Sequence, residues 1–542
     1  MPAQSRPVEA PPVAAAPAGI FPTMQASDSH ATELTDLIAR LCGPAGTGEA
    51  LKAISDSCES ARAAGLGQDA AAMERLDGAT AGLDPILRES ALAYVSGDLH
   101  RYLHILEMLD TVLDLASLDG INQIFWSMQR QLFLMRMDLG SVSDFVVGHL
   151  FPFYERFLRQ VAVRLELVPA GRQAGMPDAG RVVIVTNQFL SAEHQPSRDL
   201  LLLAVRLQRD LGRTVLVLNT NMMPDRYYSA FVPPFAAAVE DRLSGEQTIR
   251  CGGERIRMLS STVPGLTADK LAGFLSAVEV FDPDLVIGFG GSVIVADLLG
   301  SAYPVMCVPT TSGQTVSLAD IVLDFGGHVR PPGSGRLAQS WRPARFGLSL
   351  RHTGEMAARA EFALQEGDFV CVVVGNRLDA ETGGGFLDLL GRILDAIPRA
   401  LVLFAGGVES LPGRLAADRH AGRLRSLGHV DRVEALMSVC DLFVNPRRAG
   451  GGAGAAQAMA GGVPVLSFEG GDVASVAGPS FLVVDETAFV ARAVALADDP
   501  ALLAGARQEA RSRIEAVERE GADIAQLSAY MAEAVSLFDK RR

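Results

Sequence analysis

"NPRRAGGGAGAAQAMAGGVPVLSF", Asn445 to Phe468, is the stretch whose reading decides the fold. It begins at the end of a strand-like run, "DLFVN", passes through three successive glycines, and continues as a helix-like "AGAAQAMA" before a second apolar run, "VPVLSF". Glycine at such a junction lets backbone approach a neighbour closely and adopt positive φ, at an entropic cost. The helix behind it aims unbonded N–H groups and a positive dipole end back at the turn. Together these make an anion site, most often a phosphate site. The spacing predicts that backbone at Gly450, Gly451, Gly452 and Ala453 meets the phosphate, with Arg447 and Arg448 beside it. Tight helix–sheet packing is the plain alternative, and small residues alone would satisfy that.

Working outward, the same alternation continues. "FVCVVVG", "ALVLFAG", "LRSLGHV" and "SFLVV" surround the quoted stretch, and long helical patterns run from Glu486 to Arg541. An earlier series holds "RVVIVT", "TVLVLN", "IRMLS", "DLVIGFG" and "PVMCVP". Short, continuously apolar strands separated by helix-length segments predict parallel sheets covered on both faces. Upstream of these, apolar residues recur at three-and-four spacing and predict an all-α layer. The expected organisation is a Pro/Ala-rich disordered tail at 1–29 and an all-α domain at 30–170. A first Rossmann-like domain follows at 181–330, and a second at 347–542 with closing helices. Gly/Pro-punctuated passages at Val168–Arg181 and Gly326–Phe346 separate them. Ligands of such sheets lie beyond the carboxyl ends of the strands, so two facing sheets would form a cleft.

Composition narrows the function. The 542-residue chain has a formal charge of −15, which argues against an extended nucleic-acid footprint. Half of its residues are apolar, enough for several cores. Its cysteines, Cys42, Cys58, Cys251, Cys307, Cys371 and Cys440, have no Cys-x-x-Cys spacing and read as buried hydrophobes of a reducing compartment. The proline-rich N-terminus has no signal-peptide core, and no apolar run of about 18 residues follows. A cytoplasmic location is expected. Gly-Lys-Ser/Thr phosphate loops, Gly-x-Gly-x-x-Gly and Gly-x-Ser-x-Gly elbows in a strand–turn–helix context are absent.

With these residues in view, the segment "LGHVDRVEALMSVCDLFVNPRRAGGGAGAAQAMAGGVPVLSFEGGDVASVAG" resembles the donor-binding half of GT-B glycosyltransferases. The shared features are a glycine-containing turn, a helix, and small-Gly-x-Pro-Val leading into a strand. "VVVGNRL", Val372 to Leu378, resembles the first strand of that half with its phosphate-facing basic residue. "VVIVTNQFLSAEHQPSRD", Val182 to Asp199, resembles the acceptor-domain opening of protein N- and O-glycosyltransferases, which often carry a helical domain ahead of two Rossmann-like domains. The resemblance implies a GT-B fold, an NDP-sugar donor with uridine favoured, a protein acceptor and no metal or other cofactor. One departure stands out. Many retaining members carry Glu-x7-Glu across the turn and helix, and here Ala449 and Gln457 occupy those places. Gln457 still offers both a donor and an acceptor to a ribose diol, and an inverting reaction fits Ala449 better.

Several single residues are candidates. Arg377 would clamp the diphosphate and neutralise the leaving group; pairing with Asp379 or Glu381 is its structural alternative. His194 would be the acceptor-side base, because an imidazole suits neutral pH. Glu193 and Asp199 are lesser candidates, and a solvated loop histidine is the ordinary reading. His429 and Val430 would flank the nucleotide base. Gln188, Thr311 and Gln314 would line the acceptor side. Asp282 and Asp284 imitate a metal-binding Asp-x-Asp, but a proline and a following strand make them a turn. His100, His104 and Glu107 share a helix face without a fourth metal ligand. The expected partners are a nucleotide-sugar and an acceptor protein or glycan, with a homo-oligomer through the helical domain also open. Alternatives are a glycan or lipid-linked acceptor, an inactive GT-B protein that partners an active transferase, and a sugar-nucleotide epimerase.

Overall fold

A computed structural model describes residues 55–542 apart from 56, 59–60, 63–65, 81–83, 135–138, 170, 172–178, 192–193, 225–230, 234, 312–313, 326–338, 345–349, 351–353 and 522–523. The expected tail at 1–29, Glu193 and most of both Gly/Pro passages lie outside the described residues.

The helical layer contains α1 (Ala70–Ala79), α2 (Pro85–Ser96), α3 (Leu99–Thr111), α4 (Leu118–Leu134) and, after two short turns, α5 (Phe151–Arg164). Local chemistry sets their starts. Asp69, Asp84 and Asp98 each accept backbone N–H groups at the N-cap of α1, α2 and α3, satisfying donors the helix cannot. Gly97 closes α2 at φ 75°, where a side chain would be strained.

The first sheet consists of β1 (Arg181–Thr186), β2 (Thr214–Asn219), β3 (Gly245–Cys251), β4 (Glu254–Ser260), β5 (Leu285–Phe289), β6 (Val305–Val308), β7 (Ile321–Asp324) and β8 (Ser340–Pro343). Its order is β3-β4-β2-β1-β5-β6-β7-β8. Every pairing is parallel except that of β3 with β4. The second sheet, β9 (Phe369–Val374), β10 (Ala400–Ala405), β11 (Leu424–Gly428), β12 (Leu442–Val444), β13 (Val465–Phe468) and β14 (Leu482–Val483), is parallel throughout in the order β11-β10-β9-β12-β13-β14. Both sheets are therefore doubly wound, and each strand order reverses beside its first strand.

The helical layer shares a core with one face of the first sheet. Phe125 of α4 and Phe153, Tyr154 and Phe157 of α5 are fully buried in a cluster with Val183, Val185, Leu216 and Leu218. Phe125 stacks on Tyr154 with ring centroids 5.1 Å apart. Each such ring removes apolar area from water and stabilises the fold by about 1.5–3 kcal/mol. Polar ties cross the same seam: Tyr154 donates to Asp297 at 2.8 Å and Asn122 to the Met222 carbonyl at 2.8 Å.

The last helix, α12 of the set completed by α6 (Gln195–Arg209), α7 (Ala268–Phe281), α8 (Gly384–Ala396), α9 (Gly452–Ala460), α10 (Glu486–Asp498), α11 (Pro500–Gly521) and α12 (Ile524–Arg541), returns to the first sheet. Met531 and Ala534 are buried among Val182, Ile184, Ile287 and Met306, and Arg342 on β8 pairs with Glu533. The chain thus crosses between the sheets twice. No helix among the described residues is long and apolar enough to cross a membrane.

Candidate active site

The second sheet reverses order between β9 and β12, and the loops that leave those two strands carry Arg377 and the glycine turn. Arg377 precedes a short helical turn, Leu378–Glu381, and its guanidinium lies 3.0 Å from Glu381. Thus the structural alternative raised for Arg377 is present, and Glu381 rather than Asp379 is the partner. Asp379 instead accepts from the backbone of Glu409, Ser410 and Leu411, which holds its carboxyl below the usual range despite partial burial.

Arg448 points inward. Its guanidinium bonds to Glu381 at 2.7 Å, Asn445 at 2.8 Å and the Val374 carbonyl at 2.9 Å, with the side chain 2 % exposed. These donors are spent inside the protein, tying β9 to β12. Arg447 is exposed and stacks on Phe468 at 3.8 Å from the ring centroid.

The three glycines are explained side chain by side chain. A β-carbon on Gly450 would stand 2.8 Å from Arg377 Nη2 and 3.3 Å from Phe133. One on Gly451, at φ 100°, would stand 2.6 Å from the Arg448 guanidinium carbon. At Gly452 it would meet Asp472 at 2.9 Å. The room that the missing β-carbons leave is therefore filled by Arg377, Phe133, Arg448 and Asp472. The turn still ends in the open first turn of α9, whose first intrahelical bond runs from Ala455 N–H to the Gly451 carbonyl. The N–H groups of Gly452, Ala453 and Gly454 precede that bond and so have no partner within the helix, while a β-carbon on Gly454 would touch Val374 at the end of β9. Ala449 is buried, while Ala453 and Gln457 lie half-buried one turn apart on the same helix.

Helix α4 was not foreseen here. Phe133 sits beneath the Arg377 guanidinium, 5.1 Å from ring centroid to Cζ. Arg130, three residues earlier, lies over Phe235 at 5.8 Å. The amphipathic pattern of α4 gave no sign of this, because Phe133 reads as core and Arg130 as surface.

The first sheet reverses between β1 and β5, and the loops beyond them are polar. Asn187 donates to the carbonyls of Gly291 at 3.2 Å and Ser292 at 3.1 Å, and its buried Oδ1 has no hydrogen-bond partner among the described residues. Ser292, at φ 51°, is bonded through its hydroxyl to Gln129 of α4 at 3.1 Å. His194 occupies the N-cap position of α6 and its Nδ1 lies 2.9 Å from Ser197 Oγ, which accepts the Leu190 N–H. Burial lowers the imidazole pKa below its ordinary value, which favours the neutral ring. With Nδ1–H donating to Ser197, Nε2 would carry the lone pair a base needs. Asp199 bonds with Gln195 on α6 at 2.7 Å. Gln188 donates to the Ala238 carbonyl at 2.7 Å, and Thr311 and Gln314 are half-buried in the loop after β6.

Other candidates lie elsewhere. His429 follows β11, largely exposed and 3.1 Å from exposed Asp431; Val430 packs against the second core. Asp282 and Asp284 both lie just before the amino end of β5, opposite the cleft-facing ends, where Asp282 pairs with Arg181 and Asp284 accepts the N–H groups of Ala179 and Arg181. His100, His104 and Glu107 line an exposed face of α3, and no group of three metal-ligating side chains occurs among the described residues.

Comparison with known proteins agrees with this layout. Residues 368–499 match the family model described as "Glycosyl transferases group 1". No curated protein matches the sequence. Among solved structures, a mutant O-GlcNAc transferase of Thermobaculum terrenum superposes with a TM-score of 0.56 at 16 % identity, covering 95 % of this chain and 99 % of that one. Anabaena Alr3699/HepE in complex with UDP gives 0.45 at 13 % identity, over 65 % of this chain and 100 % of its own. The pneumococcal O-GlcNAc transferase GtfA, in complex with UDP and GlcNAc, gives 0.41 at 9 %, over 66 % and 99 %. The chain thus has the GT-B fold and carries a glycosyltransferase domain at 368–499.

Proposed function

We propose that this GT-B glycosyltransferase moves a sugar from a UDP-sugar to a protein acceptor without a metal ion. The observation that carries the reading is the meeting of Arg377, the Gly450–Gly452 turn and the open start of α9 at the β9/β12 reversal. A guanidinium and a helix N-terminus both supply positive charge where a diphosphate leaving group develops negative charge. Arg377 would contact the phosphate bearing the sugar, and the backbone of Gly452 and Ala453 its neighbour. Gln457, facing the same way as Ala453, would meet the ribose, and His429 and Val430 the base. On the opposite sheet, His194 would accept the acceptor's proton as its oxygen or nitrogen attacks the anomeric carbon. The anomeric bond to phosphate breaks in the same displacement, leaving UDP. Asn187, Gln188, Thr311 and Gln314 would hold the acceptor. Domain closure would exclude water and limit hydrolysis of the donor.

The protein acceptor is supported by the Thermobaculum terrenum structure, an O-GlcNAc transferase, whose superposition extends over the helical layer as well as both sheets. The test is nucleotide release from UDP-, GDP- and dTDP-sugars in the presence of a chelator, with and without cell extract. UDP release that is abolished in Arg377→Ala supports the reading. Binding of a nucleotide without release under any condition would favour the inactive, partner-binding alternative, and full dependence on added divalent cation would overturn metal independence.

A further inference from the structure

We propose that Arg130 on α4 is a second guanidinium ligand of the donor's sugar-bearing phosphate, opposite Arg377, so that the helical layer completes the donor pocket. The inference rests on the nucleotide-sugar reading above.

Helix α4 reaches the glycine turn from outside the second sheet. Phe133 fills the space beside Gly450 and lies under Arg377, which places the helix against the proposed phosphate position. Arg130 is one helical turn earlier on the same face. It is held over Phe235, a residue of the first sheet's domain, so its guanidinium stands where the helical layer and both sheets converge.

Charge is out of balance there. Glu381 gives one carboxylate oxygen to Arg377 and the other to Arg448. Asp472 lies across the turn, against Gly450 and Gly452. No carboxylate forms an ion pair with Arg130 among the described residues. Burial and the nearby Arg377 charge lower the Arg130 pKa to about 10, only partly opposed by Glu381 and Tyr94. The side chain is still cationic at neutral pH, and a largely buried cation without a counter-ion is costly. An anion placed between Arg130 and Arg377 removes that cost and the repulsion between the two guanidiniums. A phosphate suits the position because its oxygens match the planar donor fork of arginine. A diphosphate would reach this pair, whereas a nucleoside monophosphate would lack the group that sits between them.

The test is calorimetric titration of the full chain with UDP and UMP, with GDP/GMP and dTDP/dTMP in parallel. Wild type, Arg130→Met and Arg130→Lys would be compared. Wild type should prefer UDP over UMP by more than about tenfold. Arg130→Met should weaken UDP by roughly 10- to 100-fold, the scale of a charge-assisted hydrogen bond, and leave UMP almost unchanged. Arg130→Lys, which keeps the charge but not the fork, should recover part of the preference. Unchanged UDP binding in Arg130→Met overturns the inference, and so does equal weakening of UDP and UMP, which marks a purely structural role. If Arg130→Met does not fold, an unaltered UDP-to-UMP ratio in Arg130→Lys overturns it equally. Failure of wild type to bind any of the six nucleotides overturns the nucleotide reading itself.

Discussion

The two order reversals, β1/β5 and β9/β12, are built alike and carry opposite chemistry. The second sheet's loops present Arg377 and Arg447, back them with a buried Arg448–Glu381 pair, and draw Arg130 in from the helical layer. The first sheet's loops present Asn187, Ser292 and His194, which are uncharged or pushed toward neutrality by burial. Nearby carboxyls on that side follow the same trend: burial raises Asp297 and Asp320 to about 6. Desolvation penalises a charged group unless a partner compensates. The loops at the β9/β12 reversal supply partners and keep their charges; those at the β1/β5 reversal supply neutral hydrogen bonds. One topology therefore makes two pockets, and the loop residues decide which takes an anion and which takes a hydroxyl or amide.

The largest test of that contrast is Arg448→Met. It would strand the Asn445 oxygen and the Glu381 oxygen that Arg377 does not hold, and breaking a buried pair in this way costs about 3–5 kcal/mol. Chemical denaturation should show the loss; a cost below about 1 kcal/mol would mean that the pair is not a foundation of the donor side. Arg377→Ala comes next. It should leave stability near wild type while lowering turnover by about 10²- to 10³-fold, the scale for removing one preorganised donor from a developing anion. A change in stability with turnover intact would reduce Arg377 to the partner of Glu381.

Much of this contrast could be read from the chain, and the remainder shows where sequence stops. The apolar runs at Val182–Thr186 and Phe369–Val374 announced parallel strands because burial on both faces removes the polar alternation. β3 was missed, since "GEQTIRC" is a polar edge strand whose residues are mostly exposed. β7 and β8 were missed as well, being four residues long and flanked by Gly/Pro-rich sequence. The turn at Gly450–Gly452 was visible, but which neighbours required it was not. Arg448, Asp472 and Phe133 come from three separate segments, and only the folded chain brings them to the missing β-carbons. Arg447 and Arg448 looked equivalent side by side; their burial tells them apart. The fusion of the helical layer with the first sheet was equally hidden, because a helix's apolar face does not name its partner.

On the neutral side, His194→Gln should lower turnover by about 10²-fold, at the lower end for a lost general base. In wild type the acidic limb of the pH–rate profile should have its midpoint below the ordinary histidine value of about 6.5, because burial lowers this pKa. A midpoint above that value would contradict the neutral pocket. Asp297 offers a smaller effect of known sign. Its carboxyl, buried beneath Tyr154 and Ser317, titrates near 6 when folded and near 3.8 when unfolded. The folded state therefore binds more protons between those values, and this contribution to stability is present below about 3.8 and lost as pH rises through 6. Subtracting the stability curve of Asp297→Asn from that of wild type should reveal a decline of about 3 kcal/mol across that window. A flat difference would mean that the three hydrogen bonds to the carboxylate offset its burial.

The smallest expected effect falls on His429, and it sharpens the boundary of the donor side. His429 and Asp431 are both largely exposed after β11, two strands away from β9 in the sheet order. An exposed polar contact of this kind contributes at most about 0–1 kcal/mol. His429→Ala should therefore shift the denaturation midpoint negligibly. If only neighbouring backbone meets the nucleotide base, UDP affinity should also fall by less than about threefold, within roughly 0.7 kcal/mol. A loss of tenfold or more with UDP, matched by the same loss with uridine alone, would show that domain closure folds the end of β11 over the base. The donor side would then have a base-reading strand end as well as its phosphate-binding turn. The contrast between the halves would become one of a charged pocket with a neutral rim facing a pocket that is neutral throughout.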